Sequence, residues 1–183
     1  MAGKVLILGG LRSGKSRFAV ELAARRGRRV LFVATATAGD AEMKRRIESH
    51  RKARPPGWRT LEAPREVGQS ILSGLGDAEV VVVDCLTLLV SNVMNEMGQP
   101  SVRTSQRVLE EAVRAEIESL IQCMEEAPAD FIVVSNEVGA GIVPVNRLAR
   151  VYSELLGQAN QTVAAKADEI YLMVAGIPVR IKP

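Results

Sequence analysis

The sequence predicts an α/β fold in which a mostly parallel sheet is flanked by helices in three layers. Four short apolar runs predict its strands, residues 5–8, 30–34, 80–84 and 131–135, all rich in Val, Ile and Leu. Each run is continuous, which is typical of strands buried on both faces of a parallel sheet. Helical patterns lie between the runs, as a layered α/β arrangement requires. At this length we expect a single domain over residues 1–183.

Apolar residues spaced three or four apart predict the helices. One helix opens directly after a glycine-rich turn at residues 9–14 and ends at Gly27. A longer helix carries an apolar stripe over residues 109–124 and closes at Pro128, and another covers about residues 146–167. The chain finishes with two strand-like runs around an Ala-Gly turn, which predicts a C-terminal β-hairpin.

Composition narrows the class of protein. Hydrophobic residues make up 47% of the chain and charged residues 25%, which argues against disorder. Only 3% of the residues are aromatic, so stacking platforms for a single strand are scarce, and we predict no nucleic-acid partner. Basic residues cluster between Lys44 and Arg65, where a local positive patch suits a phosphate-rich small molecule.

Cysteine usage and hydropathy favour the cytoplasm. Cys85 and Cys123 have neither metal-ligand spacing nor a disulfide framework, and the position of Cys85 after an apolar run fits a buried thiol. No apolar run approaches the roughly 18 residues of a membrane span. The first residues lack the apolar core and cleavage site of a signal peptide. We therefore predict a cytoplasmic protein with no membrane span.

The glycine-rich turn reads "GGLRSGKS" and satisfies the phosphate-loop (P-loop) pattern G-x-x-x-x-G-K-[ST]. Its glycines would let backbone N–H groups curl around phosphate oxygens at a helix N-terminus. Lys15 would reach the β- and γ-phosphates, and the Ser16 hydroxyl would ligate Mg²⁺. A glycine-rich turn that binds nothing is the alternative, which the flanking strand and helix disfavour. We assign the whole loop to nucleotide binding: Gly9, Gly10, Leu11, Arg12, Ser13, Gly14, Lys15 and Ser16.

Polar residues at the ends of two predicted strands are further candidates. A P-loop needs an acid at the end of a neighbouring strand to organise Mg²⁺, and Asp84 closes such a strand. A turn or helix-cap aspartate is the alternative. Asn136 and Glu137 follow the next strand, where they either orient an acceptor hydroxyl or hold the turn. Arg12 either contacts phosphate or is simply an exposed loop residue.

The one histidine of the chain, His50, lies within "RIESHRKAR". A helix that starts near Asp40 would place Met43, Ile47 and His50 on one face, away from the charged residues. From this alignment alone, a packed histidine is favoured over a catalytic one.

Four segments together resemble the bifunctional adenosylcobinamide kinase/adenosylcobinamide-phosphate guanylyltransferase family. They are the P-loop, "EM..RI..H" leading to "RP..W.T.E", "VVVDCLTLLVSN", and "NEVG.GIVP.N.LAR". The likeness covers nearly the whole chain, and the second and fourth segments are much more specific than the P-loop. It implies a P-loop NTPase fold of the RecA-like type and suggests a homotrimer.

The resemblance implies that His50 is the nucleophile that takes GMP from GTP. A neutral imidazole would attack the α-phosphorus and hold GMP as a phosphoramidate until adenosylcobinamide phosphate accepts it. Arg51, Lys52 and Arg54 would supply positive charge for this step. The kinase reaction would transfer the γ-phosphoryl group of ATP or GTP to adenosylcobinamide, with Lys15 as its catalytic residue.

The resemblance also places nucleotide contacts beyond the P-loop. These contacts are Ala34, Thr35, Ala36, Arg51, Lys52, Ala53, Arg54, Glu62 and Asp84. Mg²⁺ would be held by Ser16 and Asp84, and Glu62 would accept hydrogen bonds from guanine, although a surface glutamate is its alternative reading. Two departures from the family pattern are small: Asp84 stands where glutamate also occurs, and Leu11 replaces a smaller residue that contributes only backbone.

Two other functions stay open from the sequence. The chain could be a P-loop kinase of another small metabolite without nucleotidyl transfer. It could also be a GTP-binding regulatory module, although the guanine-reading N-K-x-D pattern is missing from the sequence.

Overall fold

The computed structural model describes residues 2–37, 45, 48, 51, 54–97 and 106–183. Within these residues the strands are β1 (Lys4–Gly9), β2 (Val30–Ala34), β3 (Arg59–Glu62), β4 (Val80–Asp84), β5 (Asp130–Val134), β6 (Glu169–Val174) and β7 (Ile177–Lys182). The helices are α1 (Lys15–Arg26), α2 (Val67–Gly74), α3 (Leu86–Met97), α4 (Gln106–Glu126) and α5 (Arg147–Lys166). None of these helices is both long enough and apolar enough to cross a membrane.

The seven strands form one sheet in the order β3-β2-β4-β5-β1-β6-β7. Every neighbouring pair is parallel except β6 and β7, which form the predicted antiparallel hairpin. Because parallel strands end at the same edge, the carboxyl ends of β1, β2, β3, β4 and β5 lie side by side. This is the edge at which α/β proteins bind ligands.

The two faces of the sheet are covered unequally by the described helices. Alternate strand residues such as Val5, Ile7 and Val82 pack with Ala19 and Ala23 of α1. On the opposite face, α2, α3, α4 and α5 cover the intervening strand residues in a larger core that includes Leu6. Both faces of the central strands are therefore buried, which confirms the interpretation of their continuous apolar runs.

The predicted elements that fall within the described residues are confirmed, and three further elements were missed. The predicted ends of α1 and α5 match the structure, where Gly27 follows α1 and the Asn146 side chain accepts a hydrogen bond from Ala149 N–H at the start of α5. The missed elements are β3, α2 and α3. Strand β3 lies at the sheet edge, where its four residues are exposed or half-buried and carry no apolar run. Helix α3 begins at Leu86, two residues after the last residue of β4. Its apolar residues therefore follow those of the strand almost without a break, and the sequence pattern did not separate the two elements.

The helix expected from Asp40 falls largely outside the described residues. Met43, Ile47 and His50 are among the residues outside them, so their predicted common face stays a prediction. Arg45, Glu48 and Arg51 are described, and all three are helical and exposed, in agreement with a solvated charged side.

A buried carboxylate joins α2 to α4. Glu116 of α4 accepts hydrogen bonds from the backbone N–H groups of Val67 (2.8 Å) and Glu66 (3.1 Å) at the start of α2. Arg65 donates to the same carboxylate at 3.2 Å. These bonds satisfy N–H groups that a helix start leaves without intrahelical partners.

Candidate nucleotide-binding and transfer site

The P-loop connects the carboxyl end of β1 to the start of α1. Gly9 and Gly14 adopt φ values of 152° and 96°, which favour glycine. A Cβ atom on Gly9 would lie 2.7 Å from Ser13 Oγ and 2.8 Å from the Met173 carbonyl oxygen. The loop therefore needs glycine there both for its backbone angles and for its close contacts.

Lys15 is folded over this loop rather than extended into solvent. Its Nζ donates to the Gly10 carbonyl oxygen at 2.6 Å and to Ser13 Oγ at 3.5 Å, and only 8% of the residue is exposed. A buried ammonium held over the loop suits a polyanionic phosphate chain. Arg12 and Leu11, in contrast, are exposed, and Arg12 has a left-handed backbone with φ of 55°.

Two other parts of the chain brace the loop. The Glu137 N–H donates to the Gly9 carbonyl at 3.1 Å, and the Gly176 N–H in the hairpin turn donates to the Ser13 carbonyl at 3.0 Å. The Glu137 carboxylate also accepts from the Gly139 N–H at 2.7 Å. Of the two roles weighed for Glu137, the structure therefore shows the one in which it holds the turn.

Asp84 lies at the same edge but not on the strand next to the P-loop. Strand β5 separates β4 from β1, so the expectation of a neighbouring strand was wrong, because the sheet order is set by long-range pairing. The pKa of the Cys85 thiol is raised to about 11, chiefly by burial and then by the charge of Asp84, whereas the charge of Lys15 lowers this pKa. The acid and the P-loop lysine therefore lie around the same residue.

The ends of β3, β2 and β4 bring three predicted residues into one row. Ala34 is paired with Glu62 on one side and with Asp84 on the other. Glu62 is exposed and Asp84 is half-buried. Both carboxylates therefore lie at the same level of the sheet, two strands apart.

Arg54 lies beside this row in a fixed position. Its guanidinium carbon lies 3.7 Å from the centre of the Phe32 ring, and its Nη1 donates to Thr60 Oγ1 at 3.0 Å. Burial lowers the pKa of the guanidinium, whereas the charges of Asp84 and Glu62 raise it. Stacking and partial desolvation strengthen the interactions of such a cation with an anion.

Thr35 joins the ends of β2 and β4 through its hydrogen bonds. Its side chain is fully buried, its N–H donates to the Asp84 carbonyl (3.1 Å), and its Oγ1 donates to the Cys85 carbonyl (2.8 Å) and accepts from the Cys85 N–H (2.8 Å). Both of its hydrogen-bond donors are therefore used within the protein. These bonds give Thr35 a supporting role that the sequence did not indicate, and its nucleotide contact stays a prediction.

Comparison with known proteins decides the family. The model of the CobU family, described as cobinamide kinase / cobinamide phosphate guanyltransferase, matches residues 5–181. This chain belongs to that family. The predicted kinase and guanylyltransferase function therefore has support over almost the whole chain.

Relatives in the CobU family are similar over nearly their full length. The chain is 42% identical to the bifunctional adenosylcobalamin biosynthesis protein CobU of Escherichia coli, over 97% of this chain and 99% of that protein. It is 40% identical to the protein of the same name from Salmonella typhimurium, with the same shares covered. It is 41% identical to the bifunctional adenosylcobalamin biosynthesis protein CobP of Pseudomonas aeruginosa, over 97% of this chain and 96% of that protein.

Solved structures confirm the RecA-like P-loop NTPase fold. The RadB recombinase matches with a TM-score of 0.51 at 16% identity, over 93% of this chain and 73% of that one. An ATPase from the type III secretion system of pathogenic bacteria matches with a TM-score of 0.58 at 12% identity, over 95% of this chain and 52% of that one. At these identities the likeness concerns the fold alone.

Several residues assigned to the site from the CobU resemblance are not covered by the structure. His50, Lys52 and Ala53 lie outside the described residues. Arg51 is described and exposed. Among the described residues, no group of three or more His, Cys, Asp or Glu side chains could hold a metal ion. Ser16 and Asp84 stay the predicted ligands of Mg²⁺, which usually binds one or two protein oxygens together with substrate phosphates.

The sequence analysis did not predict a set of hydrogen bonds between polar residues next to the carboxyl ends of the strands. Asn92 of α3 and Asn160 of α5 donate to backbone carbonyls there, and the Asn136 N–H donates to Thr87 Oγ1 at 2.9 Å. The Asn160 side chain donates to the Asn136 carbonyl at 3.0 Å. A signal for Asn160 existed, because this asparagine interrupts an apolar helical face.

Proposed function

We propose that this chain catalyses both family reactions at the carboxyl edge of its sheet, with His50 as the carrier of GMP. It would phosphorylate adenosylcobinamide with ATP or GTP, and then transfer GMP from GTP to adenosylcobinamide phosphate. The observation that carries the proposal is the grouping at one edge of a P-loop, a stacked arginine and two carboxylates. The names of the relatives, which are bifunctional adenosylcobalamin biosynthesis proteins, support it.

In the kinase reaction, the P-loop would bind the triphosphate. A hydroxyl oxygen of adenosylcobinamide would attack the γ-phosphorus and its proton would pass to water, while the bond to the β-phosphate oxygen breaks and a nucleoside diphosphate leaves. Lys15, already held over the loop, would stabilise the negative charge on the β- and γ-phosphates. Ser16 and Asp84 offer the oxygen donors that suit Mg²⁺, which would neutralise phosphate charge when bound.

In the guanylyl transfer, the His50 imidazole would attack the α-phosphorus of GTP and release pyrophosphate. A phosphate oxygen of adenosylcobinamide phosphate then attacks the same phosphorus, the bond to nitrogen breaks, and adenosylcobinamide-GDP forms with His50 regenerated. Arg54, with Arg51 and Lys52, would meet the negative charge at this phosphorus. Glu62 is exposed at its strand end and would accept hydrogen bonds from guanine.

The presence of one histidine in the chain makes the covalent step easy to test. Incubation with Mg²⁺ and GTP labelled at the α-phosphate should label the protein, and the adduct should be acid-labile and base-stable. The His50→Ala variant should not be labelled. GTP labelled only at the γ-phosphate should likewise leave the wild-type protein unlabelled. An unlabelled wild-type protein, or equal labelling of His50→Ala, would exclude the covalent route.

Assembly and location complete the proposal. We propose a homotrimer from the family resemblance, and the hairpin offers a candidate contact surface. Val174, Ile177 and Ile181 of this hairpin are 53%, 65% and 56% exposed. The cytoplasmic location stays a prediction from the sequence.

A further inference from the structure

Asn92 holds together two distant points of the chain. Its Nδ2 group donates to the Thr35 carbonyl oxygen at 2.8 Å and to the Pro64 carbonyl oxygen at 2.9 Å. A side-chain amide carries two N–H hydrogens on this nitrogen, so both are used. The Asn92 amide therefore joins the residue that follows β2 to the second residue after β3.

These two points flank one segment of the chain, residues 36–63. The segment ends with strand β3, and it contains His50, Arg54 and Glu62. The Ala63 N–H also donates to the Ala34 carbonyl at 3.0 Å, so the two ends are in contact with each other. Residues 36–63 are called the transfer arm below, because they carry the groups proposed for guanylyl transfer.

The same cluster connects the transfer arm to Asp84. Thr35 Oγ1 exchanges two hydrogen bonds of 2.8 Å with the backbone of Cys85, the residue next to this acid. The base of the arm is thus fixed both to α3 by Asn92 and to the end of β4 by Thr35. Neither Asn92 nor Thr35 has a free side-chain donor for a nucleotide in this arrangement.

The P-loop is held by other contacts. Its backbone is braced by the N–H groups of Glu137 and Gly176, and Lys15 is held by Gly10 and Ser13 of the loop itself. None of these bonds involves Asn92. Loss of the Asn92 amide should therefore loosen the transfer arm and leave the P-loop in place.

We infer that Asn92 is a positioning residue for guanylyl transfer, and that it acts by fixing both ends of the transfer arm. The inference rests on the proposed function. Attack on the α-phosphorus needs the nucleophile close to its target and in line with the leaving pyrophosphate, and small misplacements cost large factors in rate. Phosphoryl transfer from the P-loop does not use the arm nucleophile, so the two reactions should respond differently to loss of the amide.

The test compares Asn92→Ala with Asn95→Ala, a matched control because Asn95 is exposed on the same helix. The first readout is the initial rate of protein labelling by GTP labelled at the α-phosphate. The second is the kinase kcat at saturating nucleotide. For Asn92→Ala we expect labelling to slow about tenfold, with kinase kcat and both rates of Asn95→Ala within about twofold of wild type.

The outcomes separate this inference from the proposed function. Unchanged labelling in Asn92→Ala, or an equal loss of both activities, would overturn the positioning role. An unlabelled wild-type protein would instead overturn the covalent route itself. If Asn92→Ala does not fold, as judged by circular dichroism, Asn92→Asp is measured in the same way because it keeps the side-chain shape without the two donors.

Discussion

Lys15 and Glu116 are the charged side chains buried within the described residues, at 8% and 7% exposure. Glu116 meets two backbone N–H groups and an arginine, which gives it a structural role at a helix start. Lys15 is instead held by a carbonyl and a hydroxyl of the loop that would bind phosphates. Burial of Glu116 therefore stabilises the fold, whereas burial of Lys15 positions a charge at the site.

Lys15→Ala should lower the kinase kcat at least about 100-fold, because the positioned positive charge on the transferred phosphoryl group is lost. Steady-state kinase kinetics with adenosylcobinamide measure the effect. Lys166→Ala is the control. Lys166 is the last residue of α5 and forms an exposed ion pair with Glu125, so this substitution should leave kcat unchanged. A Lys15→Ala protein with wild-type turnover would show that the P-loop is not the kinase site.

A sequence motif predicts the role of a single residue where the residues that act together are neighbours in the chain. The P-loop residues follow from a fixed pattern, and the structure places Gly9, Gly14 and Lys15 as that pattern requires. Thr35 and Asn92 could not be assigned in this way. Thr35 bonds to Cys85, 50 positions away along the chain, and Asn92 bonds to Thr35, 57 positions away. Only the folded chain brings these groups together.

At the scale of the elements, α2 and α4 touch at a glycine. A Cβ atom on Gly68 would lie 2.3 Å from the Ser119 carbonyl oxygen, which is a backbone atom of α4 that cannot rotate away. The contact lies beside the Glu116 hydrogen bonds to the start of α2. The close approach at Gly68 and the hydrogen bonds to Glu116 together hold α2 against α4. The residues of α2 themselves give no clear helical pattern in the sequence.

Gly68→Ala should destabilise the protein by about 2–3 kcal/mol, because the two helices must move apart. The matched control is Gly74→Ala in the same helix, where an added Cβ would make an ordinary contact of 3.5 Å with Leu61. That control should stay within about 1 kcal/mol of wild type or become more stable, since alanine favours helix. Equilibrium urea unfolding measures both, and equal midpoints for the two variants would contradict the close approach.

At the scale of the whole molecule, a charged cluster joins elements at the edge of the sheet opposite the site. Arg26 of α1 pairs with Asp130 of β5 at 3.3 Å and with Glu169 of β6. Arg180 of β7 lies 3.4 Å from the same glutamate. Tyr171 donates a hydrogen bond to Glu169, which is the largest cause of a lowered pKa for this carboxyl, followed by Arg26.

This lowered pKa predicts a pH dependence of stability. Because the Glu169 pKa in the folded protein is below its usual 4.5, its contribution is complete above that pH and is lost as the pH falls through the lowered value. Glu169→Gln should lower Tm by about 2–4 °C at pH 7, and the difference from wild type should shrink in acid. Thermal unfolding at pH 7 and at about pH 3 measures it.

Glu118→Gln serves as the control for the acid experiment, because Glu118 forms an exposed ion pair within α4. Its Tm difference from wild type should be small at both pH values, as for most surface ion pairs. A Glu169→Gln difference that persists unchanged in acid would mean that the charge of the carboxylate is not the source of the stability.

The sequence by itself determined the strands with continuous apolar runs, the helices with apolar periodicity, the P-loop and the C-terminal hairpin, because each is encoded by neighbouring residues. The tertiary structure decided the sheet order, the place of β5 between β1 and β4, the edge strand β3, and the roles of Thr35 and Asn92. The physical reason is range: periodicity and turn chemistry act over a few residues. Strand order and buried side-chain hydrogen bonds depend on partners far apart in the chain, which meet only when the core has formed.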